Sequence, residues 1–143
     1  MKVLLDTCVL SECYRPTGLE IVKSFVASLP DAALHISVIT IGELSKGIDL
    51  LPNGNKKIAL SSWLATTQNV FIDRIMPIDS ETALIWGEIT SQLQQQGLTL
   101  PAADGLIAAT ALRYGLHLVT RNVKDFKATG IMLIDPWTEK VDG

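Results

Sequence analysis

The chain has little cysteine and little histidine, two of each among its 143 residues. Cys8 and Cys13 form no Cys-x-x-Cys pair, and the histidines, His35 and His117, do not cluster. Neither a disulfide framework nor a zinc site is therefore indicated. Long apolar runs are missing too, since none reaches the roughly 18 to 20 residues a membrane span needs. The start, Met1-Lys2-Val3-Leu4-Leu5-Asp6, meets an acid after a few apolar residues and lacks the apolar core of a signal peptide. These absences predict a cytoplasmic protein with no membrane partner. A basic excess is also lacking. Twelve Lys and Arg against fifteen Asp and Glu give a formal charge of −3, which at first disfavours nucleic acid, because phosphate neutralisation calls for a basic face.

What is present is a globular composition, 48% hydrophobic and 19% charged, of a length suited to one domain spanning 1–143. No repeat or linker interrupts it. Lys2 to Asp6 reads as a buried parallel strand ending in an acid. A short helical stretch near Val9 to Tyr14, a turn at Pro16 to Gly18, and a helix carrying Leu19, Val22, Phe25, Val26 and Leu29 follow. Ala33 to Ile39 is strand-like, and Thr40 is expected to open a helix with Ile41, Leu44 and Ile48 inward. Leu51 to Asn55 is a loop, and Lys56 to about Gln68 a helical arm. Arg74 to Ile78 is a brief strand, Ser80 to Gln96 a helix stopped by Gly97, and Pro101 to Tyr114 a helix ended by Gly115. Leu116 to Thr120 and Ile131 to Ile134 complete the strands. Strands alternating with helices predict an α/β fold, a short parallel sheet with helices on both faces.

In such sheets ligands bind beyond the carboxyl ends of the strands, and four acids fall there. Asp6 follows the first strand, where an N-cap is the competing explanation. Glu43 fits a capping box with Thr40. Asp104 stands in the first turn of a helix so apolar that it must be buried, and a buried acid needs a cation or several donors. Asp125 lies in Arg121-Asn122-Val123-Lys124-Asp125-Phe126, where a solvated turn is the plain alternative. Convergence favours the chemical reading: acids from separate segments, sent to one sheet edge, repel unless a divalent ion compensates them. Oxygen ligands without Cys or His favour magnesium or manganese over zinc, and such a site suits phosphodiester hydrolysis. With those four acids at a metal, eleven remain against twelve Lys and Arg, so the outer surface is near neutral. Arg15, Lys46, Arg121 and Lys124 are the nearest cations for RNA phosphates, each with solvated surface charge as the alternative. His35 and His117 read as sheet residues, and Trp63, Trp86 and Trp137 as core or dimer contacts.

Four motifs in order resemble the PIN-domain ribonucleases, with VapC and FitB-type toxins the nearest likeness. They are Leu4-Leu5-Asp6-Thr7, Thr40-x-x-Glu43-Leu44, Pro101-Ala102-Ala103-Asp104-Gly105 through Ala111, and Thr120 through Phe126. The resemblance runs on to Gly130-Ile131 and Pro136-Trp137. It implies a magnesium-dependent endoribonuclease, the toxin of a type II toxin-antitoxin pair. It further implies a homodimer, an antitoxin that inserts into the acidic site, and operator DNA reached only through that antitoxin. Carried over by position, Asp6, Glu43 and Asp104 are metal-binding acids. Members often carry an acid where Asn122 stands, so either Asp125 takes the fourth role or that contact is neutral or water-mediated. Cys8 stands where asparagine is common, and a small buried thiol is its expected role. Thr7 is expected either to bond a metal ligand or the scissile phosphate, or to cap a helix. The competing classes are a binding module that acts through antitoxin and operator DNA with little cleavage, and a phosphoryl-transfer domain. The second needs an acid two residues after Asp6, where Cys8 stands.

Overall fold

Three short apolar strands at the centre of the molecule carry almost no exposed surface, and everything else is arranged around them. Strands β1 (Val3–Leu5), β2 (Leu34–Ser37), β3 (Ile75–Met76), β4 (His117–Val119) and β5 (Leu133–Asp135) are parallel, in the order β3-β2-β1-β4-β5. A sixth strand, β6 (Lys140–Asp142), adds antiparallel to β5 and is not expected from the sequence. The computed structural model describes residues 1–138 and 140–142.

Alternation within the strands sends side chains to two cores. Leu4, Leu118 and Leu133 pack on one face against helices α5 (Ser80–Gln95), α6 (Ala102–Tyr114) and α7 (Val123–Phe126). Val3, Leu5, Ile36, Val119 and Ile134 pack on the other. They meet α1 (Thr7–Tyr14), α2 (Glu20–Ala27), α3 (Val38–Asp49) and α4 (Asn55–Val70). Each such side chain removed from water contributes roughly 1.5–3 kcal/mol, so a sheet covered on both sides is the stable answer to strands that are apolar on both sides. Helix α6 lies close against α5 because its inward positions are small. A Cβ on Gly105 would stand 2.8 Å from Trp86 Nε1. Gly115, in the left-handed conformation (φ 65°), ends α6 as its position predicts.

An expectation is corrected. The helix after β2 begins at Val38, not Thr40, because Ser37 caps it: its Oγ accepts the Ile39 N–H at 3.0 Å. Val38 and Ile39 are β-branched and fit either element, and the cap decides between them. The segment after Asn122 is a helical turn pinned by Phe126, which is 1% exposed, although Lys124 and Asp125 on it are solvent-exposed. Among the described residues no helix is long and apolar enough to cross a membrane.

Candidate active site

The chain passes from β1 to β2 on one side and returns to β4 on the other, so the sheet has its switch point between the ends of β1 and β4. Asp6 sits in that gap. Its N–H donates to Val119 O at 3.0 Å, and its extended backbone makes it the N-cap of α1. Oδ1 accepts the Thr7 N–H at 2.8 Å, and Oδ2 accepts the hydroxyl of the fully buried Thr120, also at 2.8 Å. The cap reading and the site reading are compatible. A carboxylate offers about four acceptor positions, and these two bonds leave room for a cation. Thr120 also accepts the Asn122 N–H at 3.1 Å, so one hydroxyl fixes Asp6 and the start of the loop carrying Asp125. Sequence reasoning did not assign Thr120 to the site.

Thr120→Val is therefore expected to leave the Asn122 N–H unpaired and Asp6 short of a donor. We expect a loss of about 1–3 kcal/mol in stability and cleavage slowed roughly 10–100-fold. Thr120→Ser, which keeps the hydroxyl, restores both; melting temperature and initial cleavage rates measure the two effects.

Cys8 Sγ lies 3.8 Å from both Asp6 Oδ2 and Thr120 Oγ1. Burial, and then the Asp6 charge, push its pKa above the ordinary thiol value, so at neutral pH it is a protonated small side chain, as expected of it.

Glu43 is not the partner of a capping box, because the cap of α3 is Ser37 and not Thr40. It stands in the second turn of α3, exposed, and accepts the Thr7 hydroxyl at 2.6 Å. Thr7 Oγ1 is also 3.3 Å from the buried Thr40 hydroxyl. Thr7 thus holds a neighbouring acid rather than capping through its side chain. Asp104 is the third residue of α6 and half-buried. Its carboxyl is pushed above the usual range, first by burial and then by the negative charges of Asp6, Glu43 and Asp125. Four acids from four elements thus share one field at the sheet edge. Exposed Asp125, in the first turn of α7, lines a groove of about 360 Å³ with Asp104, Pro101 and Lys124. With Arg121 and Asn122 it also lines a second groove, of about 520 Å³.

Among the described residues none of the four carboxylates is ion-paired to Lys or Arg. The donor set, all oxygen and net negative, has the chemistry of a hard divalent cation. The acids are not drawn into a tight cluster. Among the described residues no three His, Cys, Asp or Glu side chains are grouped closely enough to hold a metal ion.

The surrounding residues divide clearly. Arg15 is ion-paired with Glu12, a buried acid that also accepts the Leu19 N–H at 2.8 Å and braces the turn between α1 and α2. Sequence reasoning passes over Glu12. Lys46 is exposed one turn beyond Glu43 and lines neither groove. Arg121, Asn122 and Lys124 are at the rim, the first two and Lys124 alike lining the second groove. A third groove, about 340 Å³, runs from Thr7 and Glu43 past Arg15 to Lys56 and Trp63, so the α3–α4 arm forms its wall. His35 Nδ1 lies 3.1 Å from Ala33 O, a sheet residue as expected. Trp63, Trp86 and Trp137 all pack against the cores.

Comparison with known proteins gives the family. The PIN domain family matches residues 3–131. The chain is 39% identical over 136 residues to Toxin FitB of Neisseria gonorrhoeae, covering 94% of this chain and 98% of that one. It is 29% identical over 136 residues to VapC ribonuclease Y4jK of Sinorhizobium fredii, covering 94% and 97%. The solved structure of FitAB bound to an IR36 DNA fragment superposes with a TM-score of 0.91 at 35% identity, covering 99% of each chain. A parallel sheet in this order, with Asp6 at its switch point, and a family match over most of its length together show that the chain belongs to the PIN-domain family.

Proposed function

We propose that the chain is a divalent-metal-dependent endoribonuclease acting as the toxin of a toxin-antitoxin pair. The observation that carries this reading is four acids, Asp6, Glu43, Asp104 and Asp125, brought by four elements to one sheet edge and, among the described residues, paired with no Lys or Arg. Four unneutralised acids at a sheet edge are costly unless a cation is part of their use. Asp6, Glu43, Asp104 and Asp125 are the residues that hold magnesium or manganese. When bound, the ion supplies positive charge that activates water and stabilises the phosphate in phosphodiester hydrolysis. Thr120 holds Asp6 and Thr7 holds Glu43, each through its hydroxyl. Asp125 rather than Asn122 takes the fourth place, since Asp125 lines the groove of Asp104 and Asn122 does not. Asn122, Arg121 and Lys124 then face the RNA, with Arg15 and Lys46 further out.

The relatives' names support the rest: one is a toxin, one a ribonuclease, and FitAB was solved on DNA. By that likeness this single-domain chain works in the cytoplasm as a homodimer. A small antitoxin occupies the groove between Glu43 and Trp63 and carries the complex to operator DNA.

The test is total cellular RNA incubated with antitoxin-free protein, in magnesium, in manganese and in EDTA, with new RNA ends mapped by sequencing. Discrete ends are expected with either metal and none in EDTA. If nothing is cut while the protein still binds its partner, the catalytic reading fails and a binding module takes its place.

A further inference from the structure

Arg121 differs from the other cations near the acids in how it is held. Its guanidinium carbon lies 5.5 Å from the centre of the Trp137 ring. Trp137 is itself fixed: it is half-buried against the core, and its backbone N–H donates to Asp135 Oδ1 at 2.9 Å. Arg15 is ion-paired directly with Glu12, a carboxylate that also feels the Arg121 charge without pairing with it. Arg121 is exposed and, among the described residues, forms no ion pair. It directly follows Thr120, whose hydroxyl holds Asp6.

We propose that the Arg121–Trp137 stack is a built phosphate-binding subsite, gripping the RNA backbone beside the bond that is cut. This inference rests on the nuclease reading. A guanidinium held over an indole face by cation–π attraction keeps N–H donors for a bidentate contact, the geometry a phosphate offers. Resting on an indole, the side chain also loses less freedom when it binds than a free lysine does. Position completes the case. Asp125 lines both the groove containing Asp104 and the groove containing Arg121, so a strand lying across the acids continues onto Arg121. A chain of net charge −3 needs such local grips, because it has no general basic face with which to hold a polyanion.

The experiment is binding of a short fluorescein-labelled single-stranded RNA of mixed sequence, read by anisotropy in EDTA across a series of salt concentrations, beside cleavage in magnesium. Arg121→Ala is expected to weaken binding about tenfold and to flatten the log–log salt slope by about 0.7, the signature of one lost phosphate contact on a single strand. Arg121→Lys keeps the slope but binds several-fold more weakly, because the charge remains while the fork and the stack are lost. Trp137→Leu is expected to match Arg121→Lys. Because Arg121 is exposed, its variants stay folded even if Trp137→Leu does not. If Arg121→Ala binds and cuts like the wild type with an unchanged slope, the subsite is overturned while the nuclease stands. If the wild type neither binds nor cuts RNA, both readings fall.

Discussion

Asp6→Asn is expected to lose RNA cleavage by about a thousandfold or more and yet remain folded. The loss follows from the place of Asp6 between β1 and β4, where it is the most buried of the four acids, 6% exposed. On the proposed reading, replacing its charge removes a metal ligand, and a thousandfold corresponds to roughly 4 kcal/mol of transition-state stabilisation. Folding survives because an amide satisfies the same partners. The carbonyl of the introduced amide still accepts the Thr7 N–H, its NH2 donates to the Thr120 oxygen, and that hydroxyl turns its proton elsewhere. Cleavage rates in magnesium and a thermal melt in EDTA separate the two statements. A variant that cuts within tenfold of the wild type removes Asp6 from the active site.

The parts of the fold that can be read in the sequence are those where one residue type has one physical use. Pro101 before α6 and Gly115 after it bracket that helix closely, since proline suits a helix start and glycine a left-handed stop. Where two structures suit the same residues, the sequence does not decide. Val38 and Ile39 fit a strand as well as a helix, and the choice is made by the Ser37 hydroxyl, a single hydrogen bond that no periodicity registers. Helix α7, four residues long, is too short to show a period, and β6, Lys140–Asp142, has no alternating pattern to announce it.

The acids are readable for a different reason. A carboxylate in an apolar setting carries a cost that demands a partner, so Asp6 and Asp104 stand out against Leu4-Leu5 and Ile107-Ala108-Ala109. Their supports do not. Thr120 acts on a residue 114 positions away, and Thr7 reaches Glu43 across 36. A hydroxyl in a sequence has many uses, and only the pairing of β1 with β4 decides which one Thr120 has. Glu12 is invisible because its partners include a backbone N–H, that of Leu19.

Asp104→Asn is expected to abolish cleavage and to make the metal-free protein more stable. The Asp104 pKa is raised in the folded state by burial first and by Asp6, Glu43 and Asp125 next. For an acid whose folded pKa is raised, the folded state binds more protons than the unfolded one. Its contribution is therefore neutral below the ordinary aspartate range, and stability falls as pH rises from that range through the folded pKa. The penalty is greatest once the pH lies above the folded pKa. Asparagine carries no charge to desolvate or repel, so the variant should melt higher than the wild type in EDTA at neutral pH. The gain should fade as the pH is lowered towards 4. Magnesium, which offsets the same repulsion, should raise the wild-type melting temperature more than that of the variant. Thermal melts of both proteins across pH, with EDTA and with magnesium, test every part of this. A variant less stable than the wild type at pH 7 in EDTA would mean that Asp104 is held by a favourable contact and is a structural residue of α6.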